Sequence, residues 1–341
     1  MDKIGSFLCA ELPYFCVMFG LEKYHTAIVT HLESLKHQNE PRNLYEPIEY
    51  ILDLGGKRLR PVLTLMTCDL FGGSIEKSLD AALAIEVFHN FTLVHDDIMD
   101  DAPLRRGKTT VHEKWDVNTG ILSGDAMLIL AYQLFEGYDS EIFKSLISLF
   151  SQTALEVCEG QQYDVDFETR NDVTIDEYLK MIEYKTAVLI GAAMQMGALI
   201  AGASEADQKR IYDFGKNLGI AFQLQDDYLD AFGDSKSFGK QVGGDIIENK
   251  KTYLYLKALE YSNDSTQQEL LDLYNEKQED VALKVEKVKT IFNESGAQQA
   301  TKDAIASYTQ LAYSELETLN LKSEERELLI QFGEQLMNRQ V

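Results

Sequence analysis

After Pro103 the chain contains no proline; its five prolines (Pro13, Pro41, Pro47, Pro61 and Pro103) all fall in the first third of 341 residues. Proline in a helix interior removes a hydrogen bond and clashes with the preceding turn, at a cost of ~3 kcal/mol or more. The remaining two thirds is therefore free to run in long helices. Apolar residues recur at helical spacing over 21–35, 44–54, 58–70, 76–95, 124–135 and 141–165, with short polar breaks between them. Residues 175–202, and much of 205–232, are apolar nearly all round, which predicts helices buried at the centre of a bundle. The polar stretch Gly233–Gly244 reads as a long loop, and 249–338 returns to amphipathic helices. No stretch of strand-type alternation competes, and no linker or low-complexity tract marks a second domain. The expectation is an all-α chain: one large helical bundle over 21–341, preceded by an extension at 1–20 whose role is unassigned.

Charge narrows the partners. The net charge of −24 repels nucleic-acid phosphates and anionic lipid surfaces. The apolar segment 6–19 carries Glu11 and Pro13 and is too short to span a bilayer, so no membrane insertion is expected. Cys9, Cys16, Cys68 and Cys158 form no C-x-x-C pair and read as free thiols of a cytoplasmic protein. In so acidic a chain an anionic substrate requires either clustered cations or carboxylates that recruit divalent ions.

Both are present. Asp96, Asp97, Asp100 and Asp101 end one apolar run, and Asp226, Asp227 and Asp230 end another. Positions i and i+4 share a helix face, so Asp96 with Asp100, and Asp226 with Asp230, each aim two carboxylates one way. Like charges so placed destabilise the helix unless a cation bridges them, and hard oxygen ligands suit Mg²⁺ completed by substrate phosphates. One isolated copy is as readily a solvated acidic helix end. Two copies, each behind an apolar stretch, favour metal. Cations accompany the first cluster: Lys57, Arg58 and Arg60 upstream, Arg105 and Arg106 just after it. Arg58 reads as a surface helix charge, whereas Lys57, Arg60, Arg105 and Arg106 are of the right type to hold a diphosphate. Lys240 and Lys250 flank the second cluster as candidate phosphate ligands, the alternative being solvated loop lysines. Residues 233–240 do not make a nucleotide-binding P-loop: the glycine spacing is wrong and Gln241 replaces the Ser or Thr.

Taken in order, Gly55-Gly56-Lys57-Arg58-Leu59-Arg60-Pro61, His89 through Arg106 with DDIMD, Lys185-Thr186, Gln223 through Asp230 with DDYLD, and Gly239-Lys240 followed by Asp245 and Lys250 resemble the trans-isoprenyl diphosphate synthases. The resemblance implies the isoprenoid-synthase bundle with a central substrate cavity, a homodimer, and about three Mg²⁺ ions per active site. It implies that Lys57, Arg60, His89 and Arg106 bind isopentenyl diphosphate, that Arg105, Lys185, Thr186, Gln223, Lys240 and Lys250 bind the allylic diphosphate, and that Asp96, Asp100 and Asp226, with Asp230, hold the metal. The implied reaction joins isopentenyl diphosphate to dimethylallyl, geranyl or farnesyl diphosphate by ionisation, condensation and proton loss. Phe91 and Thr92, the fifth and fourth residues before Asp96, are the implied chain-length positions and point to geranylgeranyl diphosphate before farnesyl diphosphate. A class I terpene cyclase needs no second diphosphate site, and a non-catalytic subunit of a synthase would have lost aspartates or cations. Both sets are intact here. The ending Met337–Val341 has Arg339 as its only cation, which leaves closure of the site by the C-terminus open.

Overall fold

A computed structural model describes residues 21–33, 39–233, 243–275 and 280–337. Their architecture is all-α, apart from one two-stranded ribbon. The helices are α1 (Glu22–Glu33), α2 (Arg42–Asp53), α3 (Leu59–Leu70), α4 (Ile75–Met99), α5 (Val111–Lys114), α6 (Val117–Gln133), α7 (Ser140–Thr169), α8 (Ile175–Ile182), α9 (Val188–Ile200), α10 (Glu205–Phe232), α11 (Gly244–Ile247), α12 (Tyr253–Tyr261), α13 (Asp264–Asn275), α14 (Val281–Glu294), α15 (Ala297–Leu316) and α16 (Ser323–Met337). Among the described residues, no helix is long and apolar enough to cross a membrane. The chain divides into two compact units, one of residues 1–150 and 193–209, the other of 151–192 and 210–341.

In the first unit α4 is the central element. Ala81 to Phe88 are buried on every side, as the all-round apolar sequence requires. The helix runs four residues beyond the periodicity limit at His95, so Asp96 and Asp97 lie within its last turn, Asp100 caps it and Asp101 follows. A Schellman cap ends it: Asp101 takes the left-handed conformation (φ 49°), its N–H bonds Ile98 O, and the Ala102 N–H bonds Asp97 O at 2.9 Å. Pro103 then bars continuation. The ribbon that follows was not foreseen. Leu104–Arg105 (β1) pairs antiparallel with Lys108–Thr109 (β2), and the two linking residues, Arg106 (φ 53°) and Gly107 (φ 71°), both have the positive φ of a tight hairpin turn.

In the second unit Tyr178, Leu224, Tyr255, Leu270, Val288 and Phe292 share one buried cluster. Helix α8 starts at a capping box, with Thr174 and Glu177 satisfying each other's backbone N–H groups. The expected single helix over 175–202 is interrupted: Glu183–Ala187 forms one π-turn between α8 and α9. Of the expected loop 233–244, residues 234–242 lie outside the described residues, as do the extension 1–20 and the C-terminal residues 338–341.

Candidate active site

The first unit presents the Gly55–Arg60 loop, the C-terminal half of α4 and the arginine hairpin. Gly56 has φ 119°, and a Cβ there would lie 2.7 Å from Arg106 Nη1; only glycine admits the guanidinium at that distance. Arg106 donates to the Gly55 carbonyl. Arg60 Nη1 lies 3.2 Å from His89 Nε2, so the guanidinium donates and the imidazole accepts. Burial, then the charges of Arg60, Arg106, Arg105 and Arg58, hold His89 well below the usual histidine range. Burial brings Arg60 down to about 10, with Glu86 opposing the shift and Arg106 adding to it. A neutral imidazole beside cations that lower one another's affinity for protons is a setting that favours an anion. Lys57 is exposed on the same loop.

Arg58 corrects the surface assignment. It is 7 % exposed and donates to the buried carboxylate of Glu86 and to Leu52 O. Its left-handed backbone (φ 47°) turns the side chain inward, and Asn90 Nδ2 also donates to Glu86, at 2.9 Å. Sequence reasoning passed over Glu86; an acidic residue inside an unbroken apolar helix was the available signal.

The aspartates of the first cluster divide by face. Asp97 is 1 % exposed and accepts from Arg105 Nε (2.7 Å) and Nη2 (2.6 Å), which engages Arg105 within the cluster. Asp96 is half-buried and Asp100 exposed, one helical turn apart. Thr92 lies one turn before Asp96 on the same face, its hydroxyl bonded to His89 O at 2.8 Å. Phe91 is buried, with its ring against His95 (4.8 Å, edge-on) and Phe88 (5.5 Å).

In the second unit the division repeats. Asp227 is buried, accepting from the Tyr178 hydroxyl and from Gln223 Nε2 (2.9 Å), while Gln223 Oε1 accepts from Thr186 (3.3 Å). Burial and the nearby Asp245 push the Asp227 carboxyl up to about 8, against the pull of the Tyr178 and Gln223 bonds. Asp226 and Asp230 are half-buried, and Asp230 Oδ2 accepts from the Asp245 N–H at 2.9 Å. Lys185 and Thr186 sit in the π-turn, a feature often found at functional sites. Helix glycines admit the turn closely: a Cβ on Gly160 would lie 2.2 Å from the Lys185 nitrogen, and one on Gly219 2.8 Å from Ala187 Cα. Lys185 Nζ bonds Asp164 at 2.5 Å. Lys250 pairs with Glu248 at 3.1 Å; its burial disfavours the charge, but Asp245 and Glu248 outweigh that and raise its pKa. Lys240 lies outside the described residues. Asp164 and Tyr178, which fix Lys185 and Asp227, were not singled out from sequence, because nothing local marks a partner so distant along the chain.

The polyprenyl synthetase family model matches residues 41–294. The chain belongs to the polyprenyl synthetase family. The chain is 35% identical over 325 residues to the short chain isoprenyl diphosphate synthase of Methanothermobacter thermautotrophicus, covering 95% of this chain and 99% of that one. It is 36% identical over 311 residues to the geranylgeranyl diphosphate synthase of Methanosarcina mazei, covering 91% and 94%. Its fold superposes on a crystal structure of geranylgeranyl pyrophosphate synthase with TM-score 0.90 and 57% identity, covering 94% and 99%. The isoprenoid-synthase helical fold expected from the motifs is thus the fold of this chain.

Polyprenyl synthetases depend in general on magnesium, and the residues here fit that ion. Asp96 with Asp100 and Asp226 with Asp230 offer carboxylate oxygen alone, the hard donor that Mg²⁺ prefers. In each cluster the buried middle aspartate is held by its own partners, Arg105 on Asp97, and Tyr178 and Gln223 on Asp227. These bonds fix the rotation of each helix end and so the aim of the flanking carboxylates.

His89 makes the folded polyprenyl synthetase sensitive to acid. A histidine in an unfolded chain takes up a proton near pH ~6.5, and in the folded chain His89 resists it. Below that pH the unfolded state binds more protons, so the stability His89 contributes is present above pH ~6.5 and falls beneath it by up to ~1.4 kcal/mol per unit. Replacement by glutamine, His89→Gln, is expected to flatten the loss of denaturant midpoint between about pH 7 and about pH 5. Equal slopes for variant and wild type would remove His89 from that account.

Proposed function

We propose that the chain is a short-chain trans-prenyltransferase that condenses isopentenyl diphosphate with dimethylallyl, geranyl and farnesyl diphosphates and releases geranylgeranyl diphosphate. The observation that carries this reading is the separation of charge types within the first unit. Arg60 and Arg106 gather around a neutral His89, while the carboxylates of Asp96 and Asp100 lie further along the same α4 that carries His89. A metal-free cationic diphosphate site beside carboxylates suited to metal serves two diphosphates. A cyclase handles one, and a non-catalytic subunit has no reason to keep both.

In this reading Lys57, Arg60, His89 and Arg106 hold isopentenyl diphosphate. Lys185, Thr186, Gln223, Lys240 and Lys250, with Arg105, hold the allylic diphosphate. Asp96 and Asp100, and Asp226 and Asp230, would hold magnesium, taken as about three ions, which would supply the charge that lets the allylic diphosphate leave. The side chains do the rest. Arg60 and Arg106 fork onto diphosphate oxygens and fix the orientation of the isopentenyl double bond. Lys185, kept in place by Asp164 and the π-turn, neutralises charge on the leaving group. Apolar residues of α4 exclude water from the reacting carbons. No side chain in the motif set is dedicated to the final deprotonation, which the departing diphosphate performs. The protein acts as a cytoplasmic homodimer; the exposed apolar residues Val117, Ile121, Leu122 and Ile129 on α6 supply a surface for self-association.

The test is incubation with Mg²⁺, labelled isopentenyl diphosphate and a series of allylic primers, followed by chromatography of the dephosphorylated products. A twenty-carbon alcohol is expected, and a fifteen-carbon end product would overturn the length assignment. Three variants sharpen the reading. Arg60→Ala is expected to raise KM for isopentenyl diphosphate more than tenfold while changing KM for the primer little, because the lost fork touches one diphosphate. Equal effects on both substrates would sink that division. Phe91, at ~1.5 Å rise per residue, sits ~7.5 Å along α4 from Asp96. Phe91→Ala is expected to lengthen the product and Thr92→Phe to shorten it. The wild-type distribution from an active Phe91→Ala enzyme would leave the ring as plain packing against Phe88 and His95.

A further inference from the structure

Beside the two DDxxD carboxylate pairs, the first unit contains a third group of ligating atoms, which takes in Asp101 at the edge of the first cluster. One atom each from Asp101, His112 and Glu113 lies within 4.8 Å of the others. Asp101 and Glu113 are exposed, and such carboxylates are common without any ion. His112 is the unusual member. Its side chain is 4 % exposed, yet neither Nδ1 nor Nε2 has a hydrogen-bond partner, and Nε2 lies 3.9 Å from Glu113 Oε1, beyond bonding distance. A buried imidazole with both nitrogens unsatisfied costs free energy unless something accepts or donates there.

We infer that Asp101, His112 and Glu113 bind a transition-metal dication of the Zn²⁺ or Co²⁺ type, and that this ion clips together the two ends of the segment carrying the arginine hairpin. One imidazole nitrogen with two carboxylates is a donor set that suits zinc and cobalt, whereas Mg²⁺ prefers oxygen alone. With metal–ligand bonds of ~2.0–2.2 Å, donors around a tetrahedral ion stand about 3.3 Å apart. The present separations need a closure of roughly an ångström, and the exposed carboxylates of Asp101 and Glu113 can supply it. A solvent molecule completes the fourth position.

Placement in the chain gives the ion its consequence. Asp101 is the left-handed residue that ends α4, and His112 and Glu113 lie in α5. Between them runs the β1–β2 hairpin with Arg105 and Arg106, its base already joined by the Thr110 hydroxyl donating to Ala102 O at 2.7 Å. An ion across the same base adds a second closure and narrows the excursions of both arginines. The inference concerns these three side chains and does not depend on which prenyl product the enzyme makes.

The experiment uses the full chain, stripped by chelation and returned to buffer with excess Mg²⁺ so that the DDxxD carboxylates are occupied. Co²⁺ is titrated while its visible absorption is followed, and Zn²⁺ is titrated by calorimetry and by thermal unfolding. The expected result is one Co²⁺ per chain with the intense absorption of a four-coordinate site, and a rise in Tm with Zn²⁺. Glu113→Gln, at an exposed position, and Asp101→Asn, which tolerates the left-handed backbone, are each expected to weaken the affinity more than tenfold and to abolish the Tm response. Neither depends on replacing the buried histidine. Retention of wild-type affinity in both variants would place the ion elsewhere, and absence of binding in excess Mg²⁺ would show that water satisfies His112. Either result overturns the inference.

Discussion

Asp96→Ala and Asp226→Ala are each expected to lower turnover by more than about a hundredfold while leaving a folded protein. Each removes a carboxylate from a half-buried position on a helix face without removing core volume, so stability should change little. The chemistry, by contrast, would in the proposed role lose a ligand to the ion that neutralises the leaving diphosphate, a contribution of several kcal/mol at ~1.4 kcal/mol per tenfold in rate. Single-turnover rates with farnesyl diphosphate, set beside far-ultraviolet circular dichroism, separate the two effects. A folded variant retaining more than about a tenth of the wild-type rate would contradict the role of that residue. Removal of divalent ions by EDTA should stop the wild-type reaction, and added Mg²⁺ should restore it.

Glu86→Ala is expected to destabilise the protein by about 3–5 kcal/mol, because it leaves Arg58 as a buried charge with no counter-charge, its bond to Leu52 O alone remaining. Glu86 is 3 % exposed and Arg58 7 %, and the carboxylate also holds Asn90. The loss should reach function as well, since Arg58 fixes the loop that presents Lys57 and Arg60. The double variant Arg58→Met/Glu86→Leu, which replaces the pair by apolar groups, is expected to recover much of the loss. Denaturant midpoints of the singles and the double form the cycle. Additive losses would show that the two side chains do not act as a pair.

These two effects differ in how far the sequence exposes them. The aspartates stand out in the chain because their meaning is local: four residues apart on a helix means one face, whatever the rest of the protein does. The same locality made α4, α7 and α10 legible as helices from apolar spacing and the absence of proline. Boundaries were less legible where the last turn opens on charged residues, as Asp96 and Asp97 do before Ile98 and Met99, because apolar periodicity is interrupted there and cannot say whether the helix goes on. The hairpin at 104–109 escaped for a related reason: two-residue strands are too short for alternation, and only Arg106-Gly107 hinted at a turn.

By itself, then, the sequence determined the fold class, the two carboxylate pairs and the order of basic motifs, since each depends on spacing of a few residues along one helix or loop. Tertiary structure alone decided how those groups are held. Glu86 with Arg58, Tyr178 with Asp227, and Asp164 with Lys185 are partners 28, 49 and 21 residues apart, and the π-turn at Glu183–Ala187 lies where Gly160 and Gly219 let neighbouring helices approach it. Local spacing carries no record of such pairings. Burial makes them obligatory, because a charge or hydroxyl removed from water must find a partner, and which partner it finds is settled only when the helices pack.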